Sequence, residues 1–340
     1  NAEMFLTATK VGPALAAGNT VVIKASEEAP APLLEFAEVV HEVGFPPGVI
    51  NLITGFGEPC GRALTSHPLV SRVAFTGGVE TARRVVENTA QNFAHLSLEL
   101  GGKSPILIFN DADLEGAVNG AVAGNFGASG QSCVAGSRVF VQAGIHDEFL
   151  ERLIGRAEAI RIGDPLHEDT QMGPLATEAQ RDRIEAVVAE SRDQGATVHT
   201  GGKRPEGFDT GWYFEPTVLG CDSQSIRSTQ VELFGPVMSV LTFESEEEAV
   251  AMANDSVFGL GAGVFTTDVG RAHRVAKAVH SGIVWVNTYR AISPVAPFGG
   301  FGQSGHGREA GIDTIYDYTR TKTVWINTSE DPMANPFVMR

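Results

Sequence analysis

Cysteine is scarce in this chain, and its three residues, Cys60, Cys133 and Cys221, are scattered. No pair has the spacing of a metal site, and three cysteines make no disulfide framework. The sequence therefore predicts a reducing, cytoplasmic setting and no bound metal. Basic residues are also short: 25 Lys and Arg face 41 Asp and Glu, for a net charge of −16. A surface of that sign repels phosphate backbones and anionic lipid, which excludes nucleic acid and the membrane surface as partners. Long apolar runs are missing too. No segment reaches the length that crosses a bilayer, and no signal-peptide pattern is visible.

What the chain has is length and glycine. Its 340 residues leave room for two domains, and its 39 glycines demand tight turns and close backbone approaches. It opens at Asn1, without a methionine and inside a helical pattern, and reads as the C-terminal two-thirds or so of something longer. Short β-branched runs at 20–24, 49–53, 73–75 and 95–100 alternate with helical periods over 1–17, 30–43 and 79–92. That alternation predicts an α/β fold, with a mostly parallel sheet in this part and helices on its faces. The same rhythm continues with strands near 106–109, 138–142, 238–243 and 283–287. Helices are expected over 147–160, 177–194, 245–254 and 269–281. A last β-rich stretch lies at 321–326.

Two residues carry a chemical signal. Cys133 follows the small-residue segment Gly127-Ala128-Ser129-Gly130, which leaves room for a substrate to reach a sulfur. A thiolate is the strongest side-chain nucleophile near neutral pH. Upstream, Glu99 stands in Leu98-Glu99-Leu100-Gly101-Gly102-Lys103, a carboxylate beside two glycines and a candidate general base. Taken singly, a cysteine is more often a packing residue and a glutamate more often solvated. Thr76-Gly77-Gly78 sits at a strand-to-helix turn, where free N–H groups can meet a pyrophosphate. The run from Gly55 to Gly61 imitates a dinucleotide fingerprint but holds one residue too many. Gly57 is therefore expected near the cofactor at most.

In chain order, Leu98-Glu99-Leu100-Gly101-Gly102-Lys103, Gly130-Gln131-x-Cys133, Glu232-x-Phe234-Gly235-Pro236, Pro297-Phe298-Gly299-Gly300 and Ser304-Gly305-x-Gly307-Arg308-Glu309 resemble the aldehyde dehydrogenase superfamily. The resemblance runs from Asn1 to about Ile326. It implies a Rossmann-type cofactor domain over 1–101, lacking its front, and an α/β catalytic domain over 102–302. A return segment over 303–320 and an oligomerisation strand and tail over 321–340 would follow. It implies NAD-dependent oxidation of an aldehyde, with Cys133 as nucleophile. Asn1 and the Cys133 N–H would serve the oxyanion, and Glu99 would activate the water that hydrolyses the thioester.

By the same resemblance Lys24 and Glu27 hold the adenosine ribose, and a carboxylate there favours NAD over NADP. Glu232 and Phe234 meet the nicotinamide ribose and ring, and Gly57, Gly77, Gly78 and Leu100 complete the cofactor set. Lys10 and Glu309 match proton-relay positions, with an ordinary ion pair as the rival reading. Phe126, Ser132, Val134, Tyr289 and Phe298 fall in loops that wall the aldehyde tunnel. Arg290 reads as a solvated loop charge, with contact to a substrate carboxylate as its alternative. Gly78, Ala82 and Gly302 depart from the family's usual serine, glycine and lysine. A small aldehyde is the expected substrate and a homodimer or homotetramer the expected assembly. Rival functions are a catalytically inert subunit that keeps the fold and an NADP-dependent semialdehyde dehydrogenase.

Overall fold

A computed structural model of the protein describes residues 1–338. The first hundred residues build two small parallel pairs. β1 (Val21–Lys24) lies beside β2 (Ile50–Ile53), and β3 (Arg72–Thr76) beside β4 (His95–Glu99). A helix crosses between the strands of each pair, as parallel pairing requires. The first crossover, Ala31–Val43, is entered through Pro30 and stopped by Gly44 at φ +83°, the left-handed turn that glycine makes without strain. The second is Val79–Thr89. The expected single sheet is thus two separate ones. No residue of β1 or β2 is fully buried, whereas β4 carries a small apolar cluster in which Leu98 packs with Ala82 of the second crossover helix and with Leu100.

Beyond Gly102 the packing changes. β5 (Pro105–Ile108), β6 (Arg138–Gln142), β7 (Thr197–Thr200), β8 (Thr217–Gly220) and β9 (Val237–Phe243) belong to one sheet. After the two-residue β10 (Phe258–Gly259), β11 (Gly261–Phe265) and β12 (Ile283–Val286) complete it. The order is β12-β11-β5-β6-β9-β8-β7, parallel except for β7. β7 was not read from the sequence, because its polar Thr197-Val198-His199-Thr200 suits an edge strand without a hydrophobic signature.

The buried strands sort their side chains by the two-residue period. Ile106 and Ile108 join a core with Ala117, Val118 and Ala121 of the helix Leu114–Asn125. Leu107 and Phe109 join the opposite core, with Ile184 and Val188 of the helix Glu178–Asp193. Both faces are therefore dry, and each core side chain of β5 is fully buried.

The chain then returns to its first region. β13 (Phe301–Gly302) pairs with β10. β14 (Gly305–His306) pairs antiparallel with β4, placing Gly305 opposite Glu99. The expected strand at 321–326 is absent from the single chain: Val324, Trp325 and Ile326 are exposed at 69%, 93% and 78%, and no ladder partner reaches them. A strand exists only through its neighbour's hydrogen bonds.

Candidate active site

Two sets of strand ends face each other. β1, β3 and β4 finish at Lys24, Thr76 and Glu99 with their carboxyl ends. β5, β6 and β9 start just after Gly102, Cys133 and Pro236 with their amino ends. The link Leu100-Gly101-Gly102-Lys103 runs straight from β4 to β5 and joins the two regions.

Missing side chains let these segments touch. A Cβ on Gly101 would collide with the carboxylate of Glu232, and one on Gly102 would come within 2.5 Å of the Cys133 carbonyl. The Gly102 N–H donates to Glu232 Oε1 at 3.2 Å. Gly130 lies at φ +71° with Gly235 and Pro236 where a Cβ would go. Three of the sequence motifs therefore meet at van der Waals distance around one sulfur, and glycine is the sterically required residue at each crossing.

The cysteine loop is also strained. Ala128 and Ser129 hold left-handed φ values of 55° and 54°. Such angles in non-glycine residues cost roughly 1–3 kcal/mol each and persist where surrounding packing imposes them. Here Ser129 Oγ donates to the Gly173 carbonyl at 2.9 Å, and Tyr289 Oη donates to the Val134 carbonyl at 2.9 Å. Phe126, Ser132 and Val134 are buried around a half-buried Cys133. Burial, then the carboxylates of Glu232 and Glu99, push the thiol up to about 11. Burial and the two carboxylates therefore favour the protonated thiol in the free chain.

Glu99 is 4% exposed, and neither of its carboxyl oxygens has a hydrogen-bond partner. Burial, then the charge of Glu309, push its pKa up to about 9. Gly299 approaches so closely that a Cβ there would lie 2.7 Å from Glu99 Oε1. Phe298 exchanges two backbone hydrogen bonds of 2.7 Å with Glu309. Beside them Lys10 Nζ lies 2.5 Å from Glu309 Oε1 and donates to Thr76 Oγ1 at 2.8 Å. Lys10, Glu309, Thr76 and Glu99 form one cluster, in which Thr76 is the register partner of Glu99.

Asn1 reaches the cysteine loop: its Nδ2 donates to the Gln131 carbonyl at 2.7 Å and keeps a second N–H. Lys24 Nζ pairs with Glu27 Oε2 at 2.9 Å, which lowers the Glu27 pKa, and the Gly57 N–H faces the same carboxylate. Gly77 and Gly78 lead into the helix Val79–Thr89, whose first N–H groups have no side-chain cap. Leu100 is buried next to Glu99, and its N–H donates to the Ser304 carbonyl at 3.0 Å. Phe234 lies at φ 54°, its carbonyl and that of Leu233 held by Gln180 Nε2.

Three residues escaped the sequence reading. Gln180 fixes the Phe234 turn from a helix with no motif. Ser304, fully buried, donates to the Gly101 carbonyl at 2.7 Å and accepts the Gly259 N–H at 3.0 Å. Lys103 is buried with no partner for its Nζ, and burial lowers its pKa to about 7. Its place inside the Glu99 motif was the available signal.

Arg290 is half-buried on the loop after β12, in keeping with a loop charge. Its Nη1 donates to the Ala123 carbonyl at 3.2 Å.

Comparison with known proteins agrees with this geometry. The aldehyde dehydrogenase family model matches residues 1–324. The chain is 55% identical to (Z)-2-((N-methylformamido)methylene)-5-hydroxybutyrolactone dehydrogenase of Acinetobacter baylyi, over all of this chain and 70% of that one. It is 46% identical to betaine aldehyde dehydrogenase of Brucella melitensis, over 96% of this chain and 67% of that one. The crystal structure of PnpE in complex with nicotinamide adenine dinucleotide superposes with a TM-score of 0.95 at 47% identity, over 98% of this chain and 68% of that one. Among the described residues no helix is long and apolar enough to cross a membrane. The chain is an oxidoreductase of the aldehyde dehydrogenase family.

Proposed function

We propose that the chain oxidises an aldehyde to a carboxylic acid with NAD, through a thioester on Cys133 that Glu99 helps water to hydrolyse. One observation carries this reading: Gly101, Gly102 and Gly130 bring Glu232, the Cys133 loop and the Glu99 strand into mutual contact.

The residues present fit a dinucleotide. Glu27 is held ionised by Lys24, ready to accept from ribose hydroxyls and to repel a 2′-phosphate. A Cβ at Gly78 would meet no atom within 4 Å, so the backbone N–H groups at that helix start stand open to a pyrophosphate. Glu232 and Phe234 face the cysteine from the opposite side and would hold the nicotinamide end. When bound, the cofactor accepts hydride from the aldehyde carbon, and its cationic ring favours the thiolate.

The chain's own groups do the rest. The Cys133 thiol gives up its proton to solvent, and the sulfur forms a bond to the carbonyl carbon. The Cys133 N–H and the second Asn1 Nδ2 hydrogen donate to the developing oxyanion; losing one such donor costs roughly 10²–10³ in rate. In the second half, Glu99 takes a proton from water as the oxygen attacks the thioester carbon, and the C–S bond breaks. Both its oxygens are free of protein partners, so one can hold that water. Lys10, Glu309 and Thr76 lead the proton outward. A carboxylate with a pKa near 9 is a minor species at pH 7, so the rate rises with pH toward 9.

Residues 1–101 and 303–320 then form the cofactor unit, 102–302 the catalytic unit, and the exposed 321–338 a contact with a second subunit in a dimer or tetramer. Three unpaired cysteines favour the cytoplasm. As to substrate, the Acinetobacter relative is named for a 5-hydroxybutyrolactone. Opening such a ring releases an aldehyde that carries a carboxylate at its far end, and we take that class as the guide. NADH formation from NAD and an aldehyde panel tests the reading. Turnover that disappears in Cys133→Ala is expected; turnover that survives it contradicts the mechanism.

A further inference from the structure

The segment between β12 and the Phe298 loop is pinned to the cysteine loop on both sides. Tyr289 Oη holds the carbonyl of Val134, the residue after Cys133. Arg290, next in the chain, lays its guanidinium against the segment before Cys133: Nη1 lies 3.2 Å from the Ala123 carbonyl and 2.5 Å from where a Cβ of Gly127 would be. Gly127 directly follows Phe126, which is buried and which the family resemblance places at the aldehyde tunnel. A side chain on residue 127 would evict the guanidinium.

The backbone of Arg290 stands at φ 62°, a left-handed angle unfavourable for a long side chain. Asn287, three residues earlier, is left-handed too at 52° and is tied to Thr266 by both its amide atoms. Strain of this kind marks positions where the fold holds a side chain against its preference. Helix capping uses only Nη1. Among the described residues, Nε and Nη2 donate to nothing and no carboxylate pairs with the guanidinium. Arg181, Arg204, Arg271 and Arg274 are paired with Asp or Glu, whereas Arg290, like Arg161, Arg183 and Arg308, bonds only backbone carbonyls. An unpaired guanidinium offers two N–H groups in the fork geometry that matches a carboxylate.

We propose that Arg290 binds the far carboxylate of an aldehyde-acid substrate and sets the enzyme's preference for that class over neutral aldehydes. This rests on the assignment of Cys133 as the nucleophile. Arg290 touches substrate away from the reacting carbon, so its effect falls on KM more than on kcat.

The test compares the full chain with Arg290→Met and Arg290→Lys. Substrates are succinic semialdehyde, glutaric semialdehyde and butanal. The expected result is a fall of about thirtyfold in the ratio of kcat/KM for the better semialdehyde over butanal in Arg290→Met, carried by KM. Arg290→Lys keeps the charge but not the fork, and a fall of about threefold to tenfold is expected. Equal losses for all three substrates in both variants would show that Arg290 only caps its helix, and would overturn the proposal. If the methionine variant fails to fold, the lysine variant decides alone: an unchanged ratio overturns it.

A second arm needs no turnover. Succinate or glutarate should slow alkylation of Cys133 by iodoacetamide in the wild type and lose that protection in either variant. Protection without any aldehyde oxidation would sink the catalytic reading and keep the anion subsite. Oxidation with no protection and no change of ratio would do the reverse.

Discussion

The two halves of the active site are built on opposite terms. The half around Glu27 and Gly78 sits on β1, β2 and β3, none of whose residues is fully buried, and a Cβ at Gly57 or Gly78 would meet open space, although one at Gly77 would strike the Phe75 ring. The half around Cys133 rests on β5, β6 and β9, almost wholly buried, and each glycine near the sulfur is pressed against another segment. The first half can lose an atom or gain one and keep its shape; the second cannot. The lesson is that binding is left on an open frame and chemistry on a packed one. Positioning to within about 0.5 Å needs neighbours that fix each rotamer.

The sharpest break is between the two carboxyl-bearing partners of the sulfur. Glu99→Gln should cut steady-state turnover by about a hundredfold to ten-thousandfold. It should leave a stoichiometric burst of NADH, because only thioester hydrolysis needs a base at that position. The same change should raise stability. Glu99 has a folded pKa near 9 against a usual 4.5, so the folded state binds the extra proton between those values. Stability is then lost as pH rises through that window. Glu99→Gln should raise Tm by about 3 °C or more at pH 8, with a smaller gain at pH 5. A Tm that falls at pH 8 would show the carboxyl to be stabilising where it lies.

Backbone crowding gives the next largest contrast. Gly130→Ala puts a methyl into the Gly235–Pro236 backbone at a left-handed φ and should destabilise by about 2–4 kcal/mol while displacing Cys133. Gly78→Ala, where nothing lies within 4 Å, should leave the denaturant midpoint nearly unchanged. Equal losses at the two sites would erase the distinction between frames.

The smallest effect is expected on the open frame itself. Glu27→Gln removes an exposed, Lys24-paired carboxylate and should raise KM for NAD about tenfold with kcat held. Use of NADP should improve at the same time, since the repulsion of a 2′-phosphate is gone. An unchanged ratio of the two cofactors would remove Glu27 from the ribose site.

Much of this was legible in the sequence. The β-branched runs marked β1, β2, β6 and β9, in the last two because burial on both faces demands such residues, and Pro30 and Gly44 bounded their helix through backbone rules alone. The motifs around Glu99, Cys133 and Glu232 named residues that the structure brings together. What stayed hidden was set by partners distant in the chain. β7 is polar and depends on β8 for its ladder. Residues 321–326 have the composition of a strand but no neighbour. Nothing local to Cys133 announces that Glu232 and Glu99 crowd its thiol. Arg290 looked like a loop charge because the Ala123 carbonyl that pins it lies far back in the chain.

The most direct test is to trap the intermediate. Glu99→Gln mixed with NAD and one aldehyde should gain, on the peptide carrying Cys133, the mass of that aldehyde less two hydrogens, with one NADH formed per chain. That result would establish both the nucleophile and the division of labour with Glu99. NADH formed without an acyl group, or an acyl group on Cys60 or Cys221, would contradict the account.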